Sequence, residues 1–418
     1  MIKTMDYRTK TLMLETANVT LDDYWPIAID IGYSSVKGFS PNSIFAFPSY
    51  AKNLKKNPKF YGDLKDDEIL YRDGDTGEIW RVGRSAQEMV NNLDTEDSEQ
   101  ELFGRTRYYS QLFKVILRTG LALGMLSNSA GSYNEKPIYV QTGLPPKYLE
   151  EDKAYLVEVL SGTHEFAIKT NRHPNFINLK LNIPKQNIEV MSQPEGTLMN
   201  LVMDDNGNGR PNARTLFQSN IIIFDAGFGT LDLFDIKNRK SSSKETFSQF
   251  GMREILDRTA KKVKKETGVL LSPSAMQNAL ESGTVLVKKR IGIKLSSRKQ
   301  SFSDLLESAT EEVCREAVEK IINIYDGLFD YQYLVLTGGT SAAWEDYVRE
   351  YFLDVEDLIV IAGNEYSRSA VHDDLPDDAP SEQKIAAELE KQKSDVIFCN
   401  VRGYYMCLIN YLRRIPRK

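Results

Sequence analysis

Two short segments of the chain carry aspartate, glycine and hydroxyl residues in the same order. The first reads DIGYSSVK at residues 30–37 and the second reads DAGFGTLD at residues 225–232, and each follows an isoleucine-rich run. Glycine in a tight turn allows consecutive backbone N–H groups to point at one anion, and neighbouring hydroxyls can donate to the same oxygens. The pattern predicts two loops that hold a chain of phosphates.

Each residue type in these loops has a task. Glycine permits the turn, serine and threonine donate, and lysine supplies a compact positive charge, while contacts at the two aromatic positions rest on the backbone. Two such loops that face each other would clamp phosphates between two domains. The predicted binding residues are Asp30, Gly32, Tyr33, Ser34, Ser35 and Lys37 in the first loop and Gly227, Phe228, Gly229 and Thr230 in the second.

The aspartates need a counter-charge, because a bare carboxylate repels phosphate. Hydrated Mg²⁺ provides one, since it keeps several waters and accepts carboxylates directly or through those waters. We therefore expect Asp30 and Asp225 to contact Mg²⁺, mainly through water, with Asp232 as a further candidate. The alternative is that both segments are ordinary hairpin turns.

A third loop favours binding over that alternative. In YLVLTGGTSAAW a strand from Tyr333 ends in Gly338, Gly339 and Thr340 and leads into a predicted helix that contains Trp344. Glycines at a strand-to-helix junction let a flat or anionic ligand approach the backbone. Neither a GxxxxGK[ST] loop nor a complete GxGxxG fingerprint is present, so the commonest nucleotide motifs offer no competing explanation.

The elements that must position these loops alternate between strands and helices. Apolar strands alternating with amphipathic helices indicate sheets covered on both faces, which is the α/β class. Residues 204–214 and 371–395 are predicted as a loop and an acidic surface insertion. The predicted strands are 26–32, 136–144, 185–193, 220–227, 230–236, 333–339 and 358–363, and the predicted helices are 110–126, 251–267 and 303–328.

Length and composition limit the class of protein. A chain of 418 residues is long enough for two domains, and two copies of one pattern, each at the head of an α/β segment, suggest a duplicated domain. No apolar run approaches a membrane span and the N-terminus lacks a secretory signal, so we expect a cytoplasmic protein. The three cysteines and three histidines are too scattered to predict disulfides or zinc.

The three loops together resemble those of the actin, Hsp70 and sugar-kinase superfamily. IAIDIGYSSVKG is similar to its first phosphate loop, IIIFDAGFGTLDLFDI to its second and LVLTGGTSAAW to its adenosine motif. Within the superfamily the chain resembles bacterial plasmid-segregation actins of the ParM type, on the segments 139–149, 190–200 and 400–412. The likeness runs from about residue 25 to the end.

The resemblance implies an actin-like two-domain fold, with ATP or GTP and Mg²⁺ between duplicated RNase H-like domains and head-to-tail assembly into filaments. It divides the chain into an irregular arm at 1–24, domain I at 25–194 completed by 398–418, and domain II at 195–397. In the superfamily a carboxylate or carboxamide after the first domain's last strand orients the attacking water. Here Glu195 is the candidate and Gln193 the alternative, with Asp225 as a further catalytic residue.

The leading hypothesis is a filament-forming nucleoside triphosphatase that segregates plasmid DNA. Because the net charge is −6 and no long basic stripe is evident, we expect weak direct binding to DNA and a separate DNA-binding adaptor. A small-molecule kinase of the same fold is the alternative, with Asp225 or a neighbour as base. A chaperone-like ATPase would need a C-terminal peptide-binding domain, for which this sequence leaves no room.

Overall fold

The computed structural model describes most of the chain. The described residues are 3–54, 58–60, 62–89, 105–128, 131–133, 135–291, 293–367, 384, 388, 391–392 and 395–415. Most of the predicted acidic insertion at 371–395 therefore lies outside the described residues. Among those described, no helix has the length and apolarity to cross a membrane.

The described strands form two large sheets, another five-stranded sheet and a separate two-stranded hairpin. They are β1 Leu12–Glu15, β2 Trp25–Ile31, β3 Ser35–Phe39, β4 Ser43–Pro48, β5 Ala51–Asn53, β6 Ile69–Asp73, β7 Ile79–Val82, β8 Ile138–Leu144, β9 Gly162–Thr170, β10 Ile177–Ile183, β11 Ile188–Ser192, β12 Ile221–Ala226, β13 Leu231–Lys237, β14 Lys240–Phe247, β15 Thr284–Ile291, β16 Lys294–Ser301, β17 Tyr333–Thr337 and β18 Ile359–Ala362. The first large sheet has six strands (β1-β4-β3-β2-β8-β11) and the second large sheet has five (β14-β13-β12-β17-β18). The other five-stranded sheet (β10-β9-β6-β7-β5) and the separate hairpin (β15-β16) complete the described strands.

The described α-helices cover and separate these sheets. They are α1 Arg84–Gln87, α2 Gln111–Leu123, α3 Leu149–Leu160, α4 Gln193–Val202, α5 Ala213–Gln218, α6 Met252–Thr267, α7 Pro273–Ala279, α8 Ser303–Ile324, α9 Ser341–Tyr351 and α10 Cys399–Leu412. The predicted helix at 303–328 ends four residues early, where Gly327 takes a positive φ inside a short 3₁₀ turn. The predicted boundary between domains at 194/195 falls inside the first turn of α4.

The two large sheets share one topology. Strands β4–β3–β2–β8–β11 of the first match β14–β13–β12–β17–β18 of the second. In each, the first three strands pair antiparallel and the last two are added parallel. The predicted α/β class and the duplication inferred from the repeated loop are both confirmed by this equivalence.

The sheets lie on either side of two central helices. Ile27 and Ile29 of β2 pack with the α2 core, whereas Ala28 faces α10, because successive strand side chains point to opposite faces. Helix α4 packs on the second sheet. The two helices approach so closely that a Cβ on Gly403 would lie 1.8 Å from the carbonyl oxygen of Gly196. Glycine at positions 196 and 403 therefore allows α4 and α10 to pack in direct backbone contact between the first and second large sheets.

The predicted irregular arm at 1–24 contains regular elements between residues 4 and 15. Residues Thr4–Tyr7 form a 3₁₀ turn, and β1 pairs antiparallel with β4 as an additional edge strand of the first sheet. Tyr7 is buried in the core on the outer side of the second sheet, where burial raises its pKa to about 12. The strand β1 was not predicted because four residues are too few to show an alternation of apolar and polar side chains.

Candidate functional site

A cavity of about 270 Å³ lies at the carboxyl ends of β2, β12 and β17. Open α/β sheets bind ligands at this edge, because the loops that follow the strands converge there. The structure brings the three predicted loops and Gln193 together around the cavity. The predicted residues that line it are Asp30, Gly32, Tyr33, Ser34, Ser35, Lys37, Gln193, Asp225, Gly227, Phe228, Gly229, Thr230, Asp232, Gly338, Gly339 and Thr340.

The first two loops have the same backbone turn. The N–H of Gly32 donates to the carbonyl of Ser35 at 3.0 Å, and the N–H of Gly227 donates to the carbonyl of Thr230 at 2.8 Å. The loops are in contact, since a Cβ on Gly229 would lie 2.8 Å from the ring of Tyr33. Two equivalent turns thus face each other across the cavity.

The third loop is attached to the second. The N–H of Thr340 donates to the carbonyl of Ala226 at 2.9 Å, and its hydroxyl donates to the carbonyl of Gly227 at 2.6 Å. Gly338 has a φ of +89°, and a Cβ there would lie 2.4 Å from the Ala226 oxygen. This close approach requires glycine and fixes the loop against the end of β12.

Asp30 and Asp225 line the cavity and have different side-chain partners. Lys37 lies 3.2 Å from Asp30, and the side chain of Asn400 donates to Asp225 at 2.7 Å. Burial, reinforced by the charge of Asp30, raises the pKa of Asp225 to about 6, although the hydrogen bond from Asn400 opposes the shift. A buried carboxyl such as Asp225, whose ionisation is opposed by burial and by a neighbouring negative charge, favours an added cation.

Asp232 has a different environment from the other two aspartates. It lies opposite Asp225 on β13, and its two oxygens accept hydrogen bonds from Thr230 at 3.0 Å and Thr246 at 2.6 Å. Burial, and next the charge of Asp225, raise the pKa of Asp232 to about 8. Its hydrogen bonds join the second loop to β14, which is a positioning task.

The oxygen donors fit a hydrated Mg²⁺. Within the described part of the chain, no three His, Cys, Asp or Glu side chains lie close enough to hold a metal directly. Asp30 and Asp225, which begin the first and second loops, are two of the carboxylates that line the cavity, and Mg²⁺ commonly keeps several waters beside one or two carboxylates. The donor set therefore suits a metal held through water.

The structure separates the two candidates for positioning water. Glu195 accepts a hydrogen bond from the N–H of Ser192 at 3.0 Å, as the third residue of a capping box, and it does not line the cavity. Gln193 lines the cavity and donates to Asp30 at 2.9 Å. The geometry favours Gln193 over Glu195, and the Ser-x-x-Glu spacing was the overlooked signal of the cap.

Two further side chains at the cavity were not predicted. Arg107 donates to the carbonyl of Ile31 at 2.9 Å and stacks over Tyr33, with 4.5 Å between its guanidinium carbon and the ring centroid. Asn400, at the start of α10, bonds both Asp225 and Thr197. Asn400 opens a segment that carried the family resemblance, whereas no sequence pattern marks Arg107.

The N-terminal arm also lines the cavity, through residues 6–10. On one side, the hydroxyl of Thr4 donates to the carbonyl of Leu280 at 2.7 Å, and Arg8 pairs with Glu281 at 2.7 Å. On the other side, β1 is hydrogen-bonded to β4. The arm therefore crosses the mouth of the cavity and joins elements of both halves.

Comparison with known proteins agrees with this architecture. Residues 28–196 match the family model described as the N-terminal domain of actin-like proteins. No curated protein matches the chain. Residues 28–196 are thus similar to the N-terminal domain of actin-like proteins, and the predicted likeness to the actin superfamily is confirmed.

Solved structures extend the likeness over almost the whole chain. A non-polymerisable quadruple mutant of pCBH ParM shares 18% identity over 94% of this chain and 100% of that chain, with a TM-score of 0.63. ParM in a 15-stranded filament from Clostridium botulinum shares 19% identity over 88% of this chain and 99% of that chain, with a TM-score of 0.61. The archaeal actin homologue Ta0583 in complex with ADP shares 14% identity over 93% of this chain and 99% of that chain, with a TM-score of 0.58. The chain therefore has an actin-like fold, similar to those of ParM and of the archaeal actin homologue.

Proposed function

We propose that the protein binds ATP or GTP with Mg²⁺ in this cavity, hydrolyses it and assembles head to tail into filaments. The observation that carries the proposal is the pair of equivalent glycine turns that face each other beside Asp30 and Asp225. A ParM relative of the same fold forms a filament, and an archaeal relative is in complex with ADP. We extend both properties, filament formation and nucleotide binding, to this protein as part of the proposal.

The residues of the chain divide the work of hydrolysis. The two turns and the hydroxyls of Ser34, Ser35 and Thr230 hold the phosphates, with Lys37 as a positive charge. Asp30 and Asp225 would hold Mg²⁺ through water, and the bound metal would neutralise charge on the phosphate oxygens. Gln193, fixed by its bond to Asp30, orients the attacking water.

The test combines nucleotide binding, phosphate release and light scattering on one purified sample. We expect all three with ATP or GTP and Mg²⁺, and filaments by electron microscopy. Asp225→Ala should leave the fold intact but lower turnover by about 10²-fold, because it removes a carboxylate from the phosphate end of the cavity. Full Mg²⁺-dependent turnover in a folded variant would exclude this role. Turnover that requires a second substrate, without scattering, would instead indicate a small-molecule kinase.

We propose further that the filaments move plasmid DNA in the cytoplasm through a separate DNA-binding adaptor. With a net charge of −6, one copy of the chain should bind duplex DNA weakly, since non-specific affinity comes from neutralised phosphates. Co-sedimentation with random-sequence DNA at physiological salt tests this. Strong pelleting of DNA with filaments alone would remove the need for an adaptor.

A further inference from the structure

A network of hydrogen bonds links Asp225 to helix α4. The side-chain amide of Asn400 donates to Asp225 at 2.7 Å, and its oxygen accepts the hydroxyl of Thr197 at 2.7 Å. The hydroxyl oxygens of Thr197 and Thr337 lie 2.9 Å apart. All four residues are buried. We call Asp225, Asn400, Thr197 and Thr337 the buried network.

The buried network has one consistent set of donors and acceptors. An ionised carboxylate only accepts, so the amide nitrogen of Asn400 faces Asp225 and the amide oxygen faces Thr197. A hydroxyl has a single hydrogen, and Thr197 donates it to Asn400. Thr197 must therefore accept from the hydroxyl of Thr337. Both ends of the Asn400 amide are thus occupied, and its orientation is fixed.

The buried network crosses between the two halves of the molecule. Asp225 and Thr337 are neighbours in the parallel strands β12 and β17 of the second large sheet. Asn400 lies in α10, which packs on Ala28 of the first large sheet. Thr197 lies in α4, and the backbones of α4 and α10 are in direct contact. Asn400 therefore ties an element of the first half to a carboxylate of the second.

Helix α4 also carries Gln193, to which the proposed function assigns the orientation of water. Gln193 and Thr197 are four residues apart, about one helical turn, so they lie on the same side of α4. Gln193 donates to Asp30 at 2.9 Å. The start of α4 is thus attached to the cavity twice, to Asp30 through Gln193 and to Asp225 through the buried network.

Packing alone does not require these polar side chains. Thr197 is 0% exposed and Thr337 is 1% exposed, and valine has nearly the same shape with no hydroxyl to satisfy. A buried hydroxyl or amide costs free energy unless it is hydrogen-bonded. The bonds that meet this cost run from α4 to one carboxylate of the cavity, and this connection is what the polar side chains add.

We propose that Asn400 and Thr197 are positioning residues, which align helix α4 with the carboxylate of Asp225. The alignment fixes where Gln193 orients the attacking water relative to the metal site at Asp225. This inference rests on the proposed hydrolysis of a nucleotide and adds two residues to it. Thr197 does not line the cavity, so it acts through its neighbours. An error of about 1 Å in such an alignment can lower a rate about 10²-fold.

Two substitutions of Thr197 separate its hydroxyl from its shape. Thr197→Val should lower kcat at least tenfold with unchanged nucleotide affinity at saturating Mg²⁺, because alignment acts on the barrier. Thr197→Ser keeps the hydroxyl and should restore most of that loss. Thr259→Val removes another buried hydroxyl, bonded within its own helix to the carbonyl of Ile255, and should keep the wild-type rate. Normal turnover in Thr197→Val would overturn the proposal.

Double variants show whether the buried network acts as a unit. Asn400→Ala removes both bonds of the amide, so adding Thr197→Val should lower kcat no further. Thr197→Val should also have little effect when Gln193 is already alanine, because the residue that it aligns is gone. Losses that multiply in both backgrounds would show that Thr197 acts independently of α4 alignment, against the proposal.

A binding measurement tests the buried network without turnover. Asn400→Ala should raise at least fivefold the Mg²⁺ concentration that half-saturates binding of a fluorescent nucleoside triphosphate, because the Asp225 carboxylate loses its fixed orientation. Asn187→Ala removes another buried amide, bonded to the carbonyl of Ile138, and should leave this concentration unchanged. An unaltered Mg²⁺ dependence in Asn400→Ala would contradict its positioning of Asp225.

The proposed function can fail separately. A wild type without Mg²⁺-dependent binding and turnover would remove the proposed function, and this inference with it. An active wild type whose Asn400→Ala and Thr197→Val variants match it in kcat and in Mg²⁺ dependence would overturn the inference alone.

Discussion

Identical residue types take different tasks at neighbouring positions of the site. Asp225 and Asp232 face each other across one pair of strands and both line the cavity, yet Asp225 accepts a hydrogen bond from Asn400 while both oxygens of Asp232 accept threonine hydroxyls. Gln193 and Glu195 differ in the same way on the first turn of α4. Spacing identifies such residues, but the surrounding hydrogen bonds decide what each one does.

The pair on α4 provides a matched experiment. Gln193→Ala should lower turnover roughly 10²-fold with unchanged nucleotide affinity, because orienting water acts on the barrier to reaction. Glu195→Ala should leave turnover unchanged and lower the free energy of unfolding by about 1 kcal/mol, the usual cost of a lost cap. Phosphate release and urea unfolding of both variants measure this. The reverse pattern would restore Glu195 as the water-positioning residue.

The raised pKa of Asp232, about 8, makes stability depend on pH. An unfolded aspartate titrates near 3.9, so between about pH 4 and 8 the folded protein binds a proton that the unfolded chain does not. The free energy of unfolding of the nucleotide-free protein should therefore fall as pH rises through this window, by up to about 1.4 kcal/mol per pH unit for one proton.

Asp232→Asn should remove the upper part of this dependence. Urea unfolding at pH 5, 6, 7 and 8 measures it, with the exposed Asp354→Asn as control. Between pH 6 and 8 the variant should show a flatter profile than the wild type, whereas Asp225, with a pKa of about 6, still titrates below that range. Parallel profiles for the variant and the wild type would show that Asp232 is ionised in the folded protein.

At the scale of elements, sequence patterns predicted those strands and turns whose formation depends on residues close together in the chain. The isoleucine-rich strands and the glycine turns were predicted, since burial and turn geometry act within a few residues. The positions of Arg107 and of the N-terminal arm at the cavity were not predicted, because both depend on contacts between distant segments, such as Arg8 with Glu281. No periodicity within either segment records those partners.

The arm should retard the release of nucleotide. It crosses the mouth of the cavity and is held by Thr4 and Arg8 on one side and by β1 on the other. Deleting residues 1–11 should speed the dissociation of a fluorescent nucleotide at least tenfold, since opening such a cover limits release. Stopped-flow chase experiments measure the rate.

A point variant separates the effect of the arm's ion pair with Glu281 from the effect of the arm covering the cavity. Arg8→Ala removes the ion pair with Glu281 and should speed release by a smaller factor, whereas Arg172→Ala, which breaks the exposed pair with Glu15 at the far end of β1, should have no effect. Release at the wild-type rate after deletion would mean that the arm only stabilises the fold.

At the scale of the molecule, the adjacent segments 326–333 and 350–359 combine six acidic residues with exposed apolar side chains, and the contributions of charge and apolar area to the proposed self-assembly can be separated. Salt screens exposed charges over about 10 Å at 0.1 M, so added salt should raise the critical concentration of the wild type. Phe329→Ser should raise it about tenfold at every salt concentration, because burying a phenylalanine is worth about 1.5–3 kcal/mol. Leu270→Ser, at a similarly exposed apolar residue elsewhere, should change nothing. Light scattering across a salt series decides the matter: if Phe329→Ser leaves the critical concentration unchanged, the surface of residues 326–333 and 350–359 is not part of the contact between copies in the filament.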